Sequence, residues 1–191
     1  MKPARWLVGV GCVAVVAASS CQRPPSREAE QAAIARAQAA AQLLGGRLRE
    51  RLTTVMKQAG PLAAVEVCAA EAQTLRSTVE RETGVRVGRA SLKLRNPQDA
   101  APPWVAAWLT AQRPGTPPTG LATIESGLAR VIKPLLIEPA CLTCHGDEAS
   151  LPAEVRSAIQ RHYPSDAATG YRLGDLRGAL WAEAPLAAAA R

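Results

Sequence analysis

The sequence predicts an α+β domain in which long helices come first and an antiparallel sheet follows. Residues 27–58 are rich in Ala, Leu, Glu, Arg and Gln, a composition that favours helix. A second helix is predicted between Pro61 and Gly84, because apolar residues recur there at three- and four-residue steps. Beyond Gly84 apolar and polar residues alternate, which indicates strands. Helices followed by strands are typical of the α+β class.

Turn residues divide the second half of the chain into strands and short helices. Strands are predicted over residues 85–94, 120–137 and 175–184, the middle range as a hairpin or as two strands. Short helices are predicted after Pro102–Pro103 and from Ser150 to about Tyr163. Two glycine positions are expected to disturb their elements: Gly88 by shifting the phase of the first strand, and Gly45–Gly46 by kinking the first helix.

The motif Cys-Leu-Thr-Cys-His at residues 141–145 carries most of the functional information. Two cysteines two residues apart, followed directly by histidine, form the attachment motif for c-type haem. The thiols of Cys141 and Cys144 are expected to bond the vinyl groups of the porphyrin. His145 follows Cys144 directly, so it is expected to lie beneath the porphyrin ring and to ligate the iron. The sequence therefore predicts one covalent haem c.

Cys-x-x-Cys pairs also hold structural zinc or act as redox dithiols, which gives two alternative interpretations. A zinc site would need two distant ligands, such as Cys68 and His162, because the chain contains no second Cys-x-x-Cys pair. A thioredoxin-like dithiol normally follows a strand in a βαβ unit and opens a helix, a context that this sequence does not predict. Haem attachment is the favoured interpretation.

The N-terminal segment predicts export and a lipid anchor. Lys2 and Arg5 precede an apolar run, residues 6–18, that is shorter than the roughly 20 residues of a membrane-spanning helix. Residues 1–20 are therefore predicted to be a signal peptide, cleaved before Cys21. That cysteine would become the lipidated N-terminus, as in bacterial lipoproteins, with ordinary cleavage nearby as the alternative. The protein is expected in the periplasm, tethered by residues 21–26 to the inner or outer membrane.

The predicted domain spans residues 27–186, and residues 187–191 are expected to form a disordered tail. The export hypothesis gives most cysteines a use: Cys12 is removed with the signal peptide, Cys21 is lipidated, and the two motif cysteines hold haem. Cys68 is left over, on the buried face of the second predicted helix. The formal net charge of +7 is spread along the chain, so no nucleic-acid partner is predicted.

The second axial ligand of the iron sets the chemistry of a haem protein, because the axial pair controls its potential and reactivity. Within the predicted domain the candidates are Met56, His162 and Cys68, or an open position. Methionine would suit a high-potential electron carrier, a second histidine would give a bis-histidine site, and a thiolate would lower the potential. The residue pattern alone leaves these alternatives open.

Four ordered motifs resemble those of a known family of bacterial single-haem proteins, long catalogued as a domain of unknown function. The motifs are residues 60–72 around Val67-Cys68, Leu94-Arg95-Asn96-Pro97, residues 141–146, and residues 163–171 with 174–178. The resemblance covers roughly residues 27–186. It implies a PAS-like sheet with a long helical N-terminal part, with haem packed against the sheet. It also implies that Cys141 and Cys144 are the thioether anchors, that His145 is the proximal ligand and that Cys68 is the distal ligand.

Three further side chains are predicted to contact the haem propionates, because guanidinium and phenol groups bind carboxylates well. These are Arg95, Tyr171 and Arg172. Asp166 and Asp175 are interpreted as turn or cap residues rather than as catalytic acids.

The sequence thus favours a membrane-anchored periplasmic monohaem c-type cytochrome that acts in electron transfer or redox sensing. It would act with an unidentified periplasmic or membrane partner. A haem-based sensor of CO or NO that signals through a partner is the alternative, and a zinc-stabilised lipoprotein is a more remote one. An enzyme is the least supported class, because no set of basic or nucleophilic residues surrounds the motif.

Overall fold

The computed structural model of the protein describes residues 25–186. The predicted signal peptide, Cys21 with most of the tether, and the predicted tail at 187–191 lie outside the described residues. Among the described residues, no helix is both long enough and apolar enough to cross a membrane.

The described chain begins with a long helix, α1 (Arg27–Thr83), which makes up about a third of it. The side chain of Ser26 caps its start by accepting a hydrogen bond from the Ala29 amide at 3.2 Å. Gly84 ends it in the left-handed conformation, with its amide donating to the Glu80 carbonyl. Inside α1 the torsion angles leave the helical region at Gly60 (φ 78°, ψ −178°), directly before Pro61. The sequence predicts two separate helices here, whereas the structure has one helix that is interrupted at a single residue, Gly60.

The expected kink at Gly45–Gly46 is wrong, because within α1 only Gly60 has non-helical torsion angles. Gly45 instead allows close approach of the helix to the sheet. A Cβ atom at this position would lie 2.6 Å from Leu180 Cδ1. The glycine is thus explained by packing rather than by flexibility.

Gly60→Ala is expected to destabilise the protein by about 1–3 kcal/mol, because the backbone conformation at Gly60 is essentially restricted to glycine. Gly46→Ala is the matched control, since Gly46 is helical and a Cβ there meets nothing within 4 Å. The control should gain about 0.5–1 kcal/mol from the higher helix propensity of alanine. Urea unfolding of both variants measures the two effects, and changes of the same sign would contradict the assigned break.

Four antiparallel strands form one sheet in the order β1-β4-β3-β2. Their bounds are β1 Arg86–Ala90, β2 Leu121–Glu125, β3 Leu128–Leu136 and β4 Leu176–Pro185. β2 and β3 form the predicted hairpin, with Ser126 and Gly127 at positive φ in the turn. The α+β class, with helices first and an antiparallel sheet after them, is confirmed.

The expected phase shift at Gly88 is wrong, because β1 pairs with β4 in continuous register and Gly88 lies opposite Trp181. The glycine leaves room for the indole, as a Cβ at Gly88 would lie 2.9 Å from three indole atoms. β1 also ends at Ala90, earlier than the predicted Leu94, and residues 91–96 form an irregular segment.

The two faces of the sheet are covered by different helices. α1 packs on one face through small side chains such as Ala37 and Ala41, which face Val131, Leu180 and their neighbours. The short helix α2 (Pro103–Ala111) covers the opposite face through Val105 and Leu109. The helix α4 (Ala153–His162) packs instead on the part of α1 that follows Gly60, through a cluster with Val65. The functional motif lies beside this last contact.

Candidate functional site

The segment that contains residues 141–145 follows β3 in the chain. Cys141 ends a short 3₁₀ helix (Pro139–Cys141), and the next four residues form the single-turn helix α3 (Leu142–His145). Gly146 ends α3, where a Cβ would lie 2.7 Å from the Leu142 carbonyl oxygen. Cys141 and Cys144 are both free and half-buried. The two thiols and the imidazole therefore share one short, partly exposed segment.

His145 is held in one orientation by the loop that follows α4. Its Nδ1 lies 2.7 Å from the carbonyl oxygen of Ala168. A carbonyl oxygen only accepts hydrogen bonds, so Nδ1 carries the proton and the lone pair is on Nε2. The His145 carbonyl accepts from the Tyr171 amide at 3.0 Å, and the Tyr171 ring meets the imidazole edge-on at 6.3 Å between centroids. These contacts hold both the backbone and the ring of His145 in place.

The electrostatic surroundings keep His145 neutral. Burial lowers the pKa of His145 to about 3, and the nearby positive charges of Arg95 and Arg177 act in the same direction. A neutral imidazole with a protonated Nδ1 is the form that binds metal through Nε2, and its Nδ1 partner sets both the tautomer and the ring orientation. The geometry of His145 therefore suits an axial ligand.

Arg95 joins the motif to the same loop. Its Nη2 donates to the Cys144 carbonyl at 2.7 Å and contacts Asp166 Oδ2 at 3.0 Å. Asp166 in turn accepts from the Ala168 amide through Oδ1 at 2.9 Å. The interpretation of Asp166 as a turn residue is thus consistent with its contacts. Arg95 acts on His145 through the Cys144 carbonyl and through Asp166 and Ala168, so it is a positioning residue for the imidazole.

Cys68 lies on the part of α1 that follows Gly60 and is half-buried. Val65, one turn earlier on the same helix, belongs to a buried cluster against which Cys144 packs. Burial raises the pKa of the Cys68 thiol, while the charges of Arg89 and Arg95 lower it. Burial is also the first cause of the raised pKa of Cys144, to which the charge of Cys68 contributes. The structure thus brings Cys68 into the electrostatic neighbourhood of the motif.

The other predicted candidates for the second axial position lie in different surroundings. His162 is exposed in the last turn of α4, and its ring lies 6.4 Å from that of Tyr163 between centroids. Met56 is half-buried and precedes the break at Gly60, whereas Cys68 follows it.

The comparison that classifies the chain is a family model. The Tll0287-like (Tll0287) model matches residues 25–185. The chain belongs to the Tll0287-like family. Among solved structures, the crystal structure of the cyanobacterial haem protein Tll0287 is similar, with a TM-score of 0.55 and 24% sequence identity. The match covers 75% of this chain and 94% of that chain. No curated protein matches the sequence.

Membership of the Tll0287-like family confirms the family resemblance predicted from the four ordered motifs. The structural similarity also confirms the predicted arrangement of a helical N-terminal part followed by an antiparallel sheet.

The zinc alternative finds no support in this Tll0287-like domain. Between residues 25 and 186, no group of three or more His, Cys, Asp or Glu side chains is placed to hold a metal ion. The ligands that the zinc hypothesis would require, Cys68 and His162 with the two motif cysteines, all lie within this range.

The side chains predicted to contact propionates differ in their surroundings. Arg95 is already engaged by Asp166 and the Cys144 carbonyl. Tyr171 is 9% exposed, and the Lys93 ammonium lies 4.4 Å from its ring centroid. Arg172 is exposed, and its hydrogen bonds, both with Asp175, involve only its backbone amide and carbonyl. The propionate contacts of all three stay predictions.

Sequence reasoning missed Arg177, which is half-buried at the start of β4 in the Tll0287-like domain. Its guanidinium carbon lies 5.5 Å from the Tyr171 ring centroid. The available signal was a single arginine within a predicted strand whose later residues are almost all apolar. That signal indicates an unusual residue without indicating its partner.

Proposed function

We propose that the protein is a single-haem c-type cytochrome whose haem is bonded to Cys141 and Cys144. The observation that carries the proposal is the state of His145, which is neutral, held at Nδ1 by the Ala168 carbonyl and placed directly after the two thiols. Support comes from the family, since one solved structure with this fold is described as a haem protein.

The residues of the site fit this group. Cys141 and Cys144 are free and half-buried, so their thiols are available for thioether bonds. His145 offers Nε2 to iron, while the hydrogen bond at Nδ1 raises the basicity of the ring and prevents its rotation. When bound, the haem would supply one-electron chemistry. The chain would hold it, exclude water from one side and set its potential.

We further propose Cys68 as the second axial ligand. Its helix segment packs beside Cys144 through Val65, and its thiol is half-buried. Burial opposes ionisation of this thiol, but coordination to iron replaces its proton and so favours the thiolate. The positive charges of Arg89 and Arg95 act in the same direction. His162 and Met56 are the alternatives.

The proposed role is electron transfer or redox sensing at the periplasmic side of a membrane, together with a redox or signalling partner. A thiolate ligand lowers the potential of the iron, whereas nearby arginines raise it, so the balance between them would set the working range. The anchor would be lipid on Cys21, which labelling of the protein with a radioactive fatty acid would reveal.

Cys68→Ala is expected to leave the haem covalently attached but to change the ligand field of the oxidised iron. The thiolate-type optical spectrum of the wild-type protein should be lost, since alanine offers no ligand. His162→Ala and Met56→Leu serve as matched controls and should keep the wild-type spectrum. If Cys68→Ala has the wild-type spectrum and one control does not, the control residue is the ligand instead.

A second candidate function is the sensing of a small gas, CO or NO. The observation that favours it is the break at Gly60, which separates the segment carrying Cys68 from the rest of α1. Displacement of Cys68 by a gas would release this segment from the haem and produce a two-state element. Spectra of the reduced protein with CO distinguish the candidates, because fast and complete CO binding favours sensing and absent binding favours electron transfer.

A further inference from the structure

One of the arginines near the motif, Arg177, has no carboxylate partner among residues 25–186. Three arginines, Arg89, Arg95 and Arg177, all influence the ionisable groups beside the motif. Arg89 pairs with Asp99 at 2.9 Å, and Arg95 pairs with Asp166 at 3.0 Å. No carboxylate within residues 25–186 pairs with Arg177.

The hydrogen bonds of Arg177 occupy one edge of its guanidinium. Nη1 donates to Ser91 Oγ at 2.6 Å and to the Lys93 carbonyl at 3.2 Å. Nε is buried and has no hydrogen-bond partner among the described residues, and Nη2 makes none to them either. The edge formed by Nε and Nη2 is the one that commonly binds a carboxylate through two parallel hydrogen bonds.

A half-buried guanidinium without an anion is costly, and arginine cannot escape that cost by losing its proton. Burial lowers the pKa of Arg177, and the charges of Arg89 and Arg95 act in the same direction. The most direct relief is an anion bound at the edge formed by Nε and Nη2, which has no partner among the described residues. Arg177 packs on the Tyr171 ring, which also meets the His145 imidazole, so this edge lies near the motif.

We propose that Arg177 binds a carboxylate of the haem through its Nε–Nη2 edge. This inference rests on the proposed function, because the two propionates of haem are the carboxylates that would enter this region with the cofactor. Arg177 is better placed for this contact than Arg95, since the Nε and Nη2 atoms of Arg95 are already engaged by Asp166 and the Cys144 carbonyl. Ser91 and the Lys93 carbonyl hold Arg177 in place for this contact.

The test compares Arg177→Gln with Arg113→Gln in haem-loaded protein. Arg113 is the control because its exposed side chain makes no hydrogen bond within residues 25–186 and it is not among the predicted propionate contacts. Resonance Raman spectroscopy detects the propionate bending bands, which respond to hydrogen bonding. Arg177→Gln should shift one of these bands, whereas Arg113→Gln should leave both unchanged.

The redox potential gives a second readout. Loss of the positive charge should lower the potential in Arg177→Gln. The freed propionate should also return toward an ordinary carboxyl pKa, near or above about 4.3. The potential of this variant should then fall more steeply as the pH rises through that value than the wild-type potential, in which only the unpaired propionate titrates there. Unshifted bands together with an unchanged pH profile would overturn the inference.

The wild-type protein tests the inference even if Arg177→Gln does not fold. A propionate paired with Arg177 should stay ionised below the ordinary carboxyl pKa, so two propionates that both titrate normally would contradict the pairing. Added phosphate tests whether the Nε–Nη2 edge of Arg177 binds a free anion instead of a propionate. A phosphate-induced shift of the propionate bands would show that solvent anions reach this edge in loaded protein, which would contradict the inference. Wild-type protein without covalent haem would overturn the proposed function as well, whereas loaded protein with unmoved bands overturns this inference alone.

Discussion

Replacement of both motif cysteines, Cys141→Ser with Cys144→Ser, is expected to abolish covalent haem attachment completely. Serine keeps the size and the partial exposure of each side chain but cannot form a thioether bond. Haem staining after denaturing electrophoresis, on protein produced with the c-type maturation machinery, measures the result directly. The alkaline pyridine spectrum should show the c-type band in the wild-type protein and none in the double variant.

Cys68→Ala is the appropriate control for this loss, because it removes a thiol from the same region without removing a thioether anchor. Covalent haem should remain at the wild-type level in this variant. Normal covalent haem in the double serine variant would refute the assignment of the motif. Absence of haem from the wild-type protein would refute the proposed function itself.

Arg95→Gln is expected to cause the largest loss of stability of any single charge removal near the site, about 3–5 kcal/mol. The side chains of Arg95 and Asp166 are only 12% and 7% exposed, so the substitution leaves a buried carboxylate without its counter-charge. It also removes the hydrogen bond to the Cys144 carbonyl. Urea unfolding of the haem-loaded protein measures the change in the free energy of unfolding.

Arg49→Gln provides the matched control, because Arg49 also makes two hydrogen bonds to one carboxylate but its pair is exposed. The side chains of Arg49 and Glu138 are 68% and 53% exposed, and such a pair contributes about 0–1 kcal/mol. A double variant, Arg95→Gln with Asp166→Asn, should recover part of the loss, since no charge stays buried. Equal losses for Arg95→Gln and Arg49→Gln would contradict a structural role for the buried pair.

The Arg95 variant also connects stability to ligation. Asp166 fixes the Ala168 amide, and the Ala168 carbonyl holds His145 Nδ1. A loosened loop would release the imidazole from its fixed orientation, although Arg95 itself makes no contact with the ring. Arg95 is therefore a positioning residue.

Much of the fold was predictable because its signals are local. The helical composition of residues 27–58, the cap at Gly84 and the hairpin turn at Gly127 each depend on a few neighbouring residues. The attachment motif was also predictable, since all five of its residues are consecutive. The expectations for Gly45 and Gly88 were wrong because glycine has two uses, flexibility and close packing, and only the partners Leu180 and Trp181 distinguish them.

The sequence by itself therefore determined the class of fold, the family and the segment that carries the predicted haem chemistry. The tertiary structure alone decided which side chains surround that segment. Arg95 lies 71 residues from Asp166, and Arg177 lies 86 residues from Ser91, so both contacts depend on how separate elements pack together. An isolated arginine in a sequence has no assigned partner. Only the folded chain shows that the Asp166 carboxylate neutralises Arg95, while the Nε–Nη2 edge of Arg177 has no partner among the described residues. The physical reason is that charge pairing depends on the distance between side chains and not on their separation in the sequence.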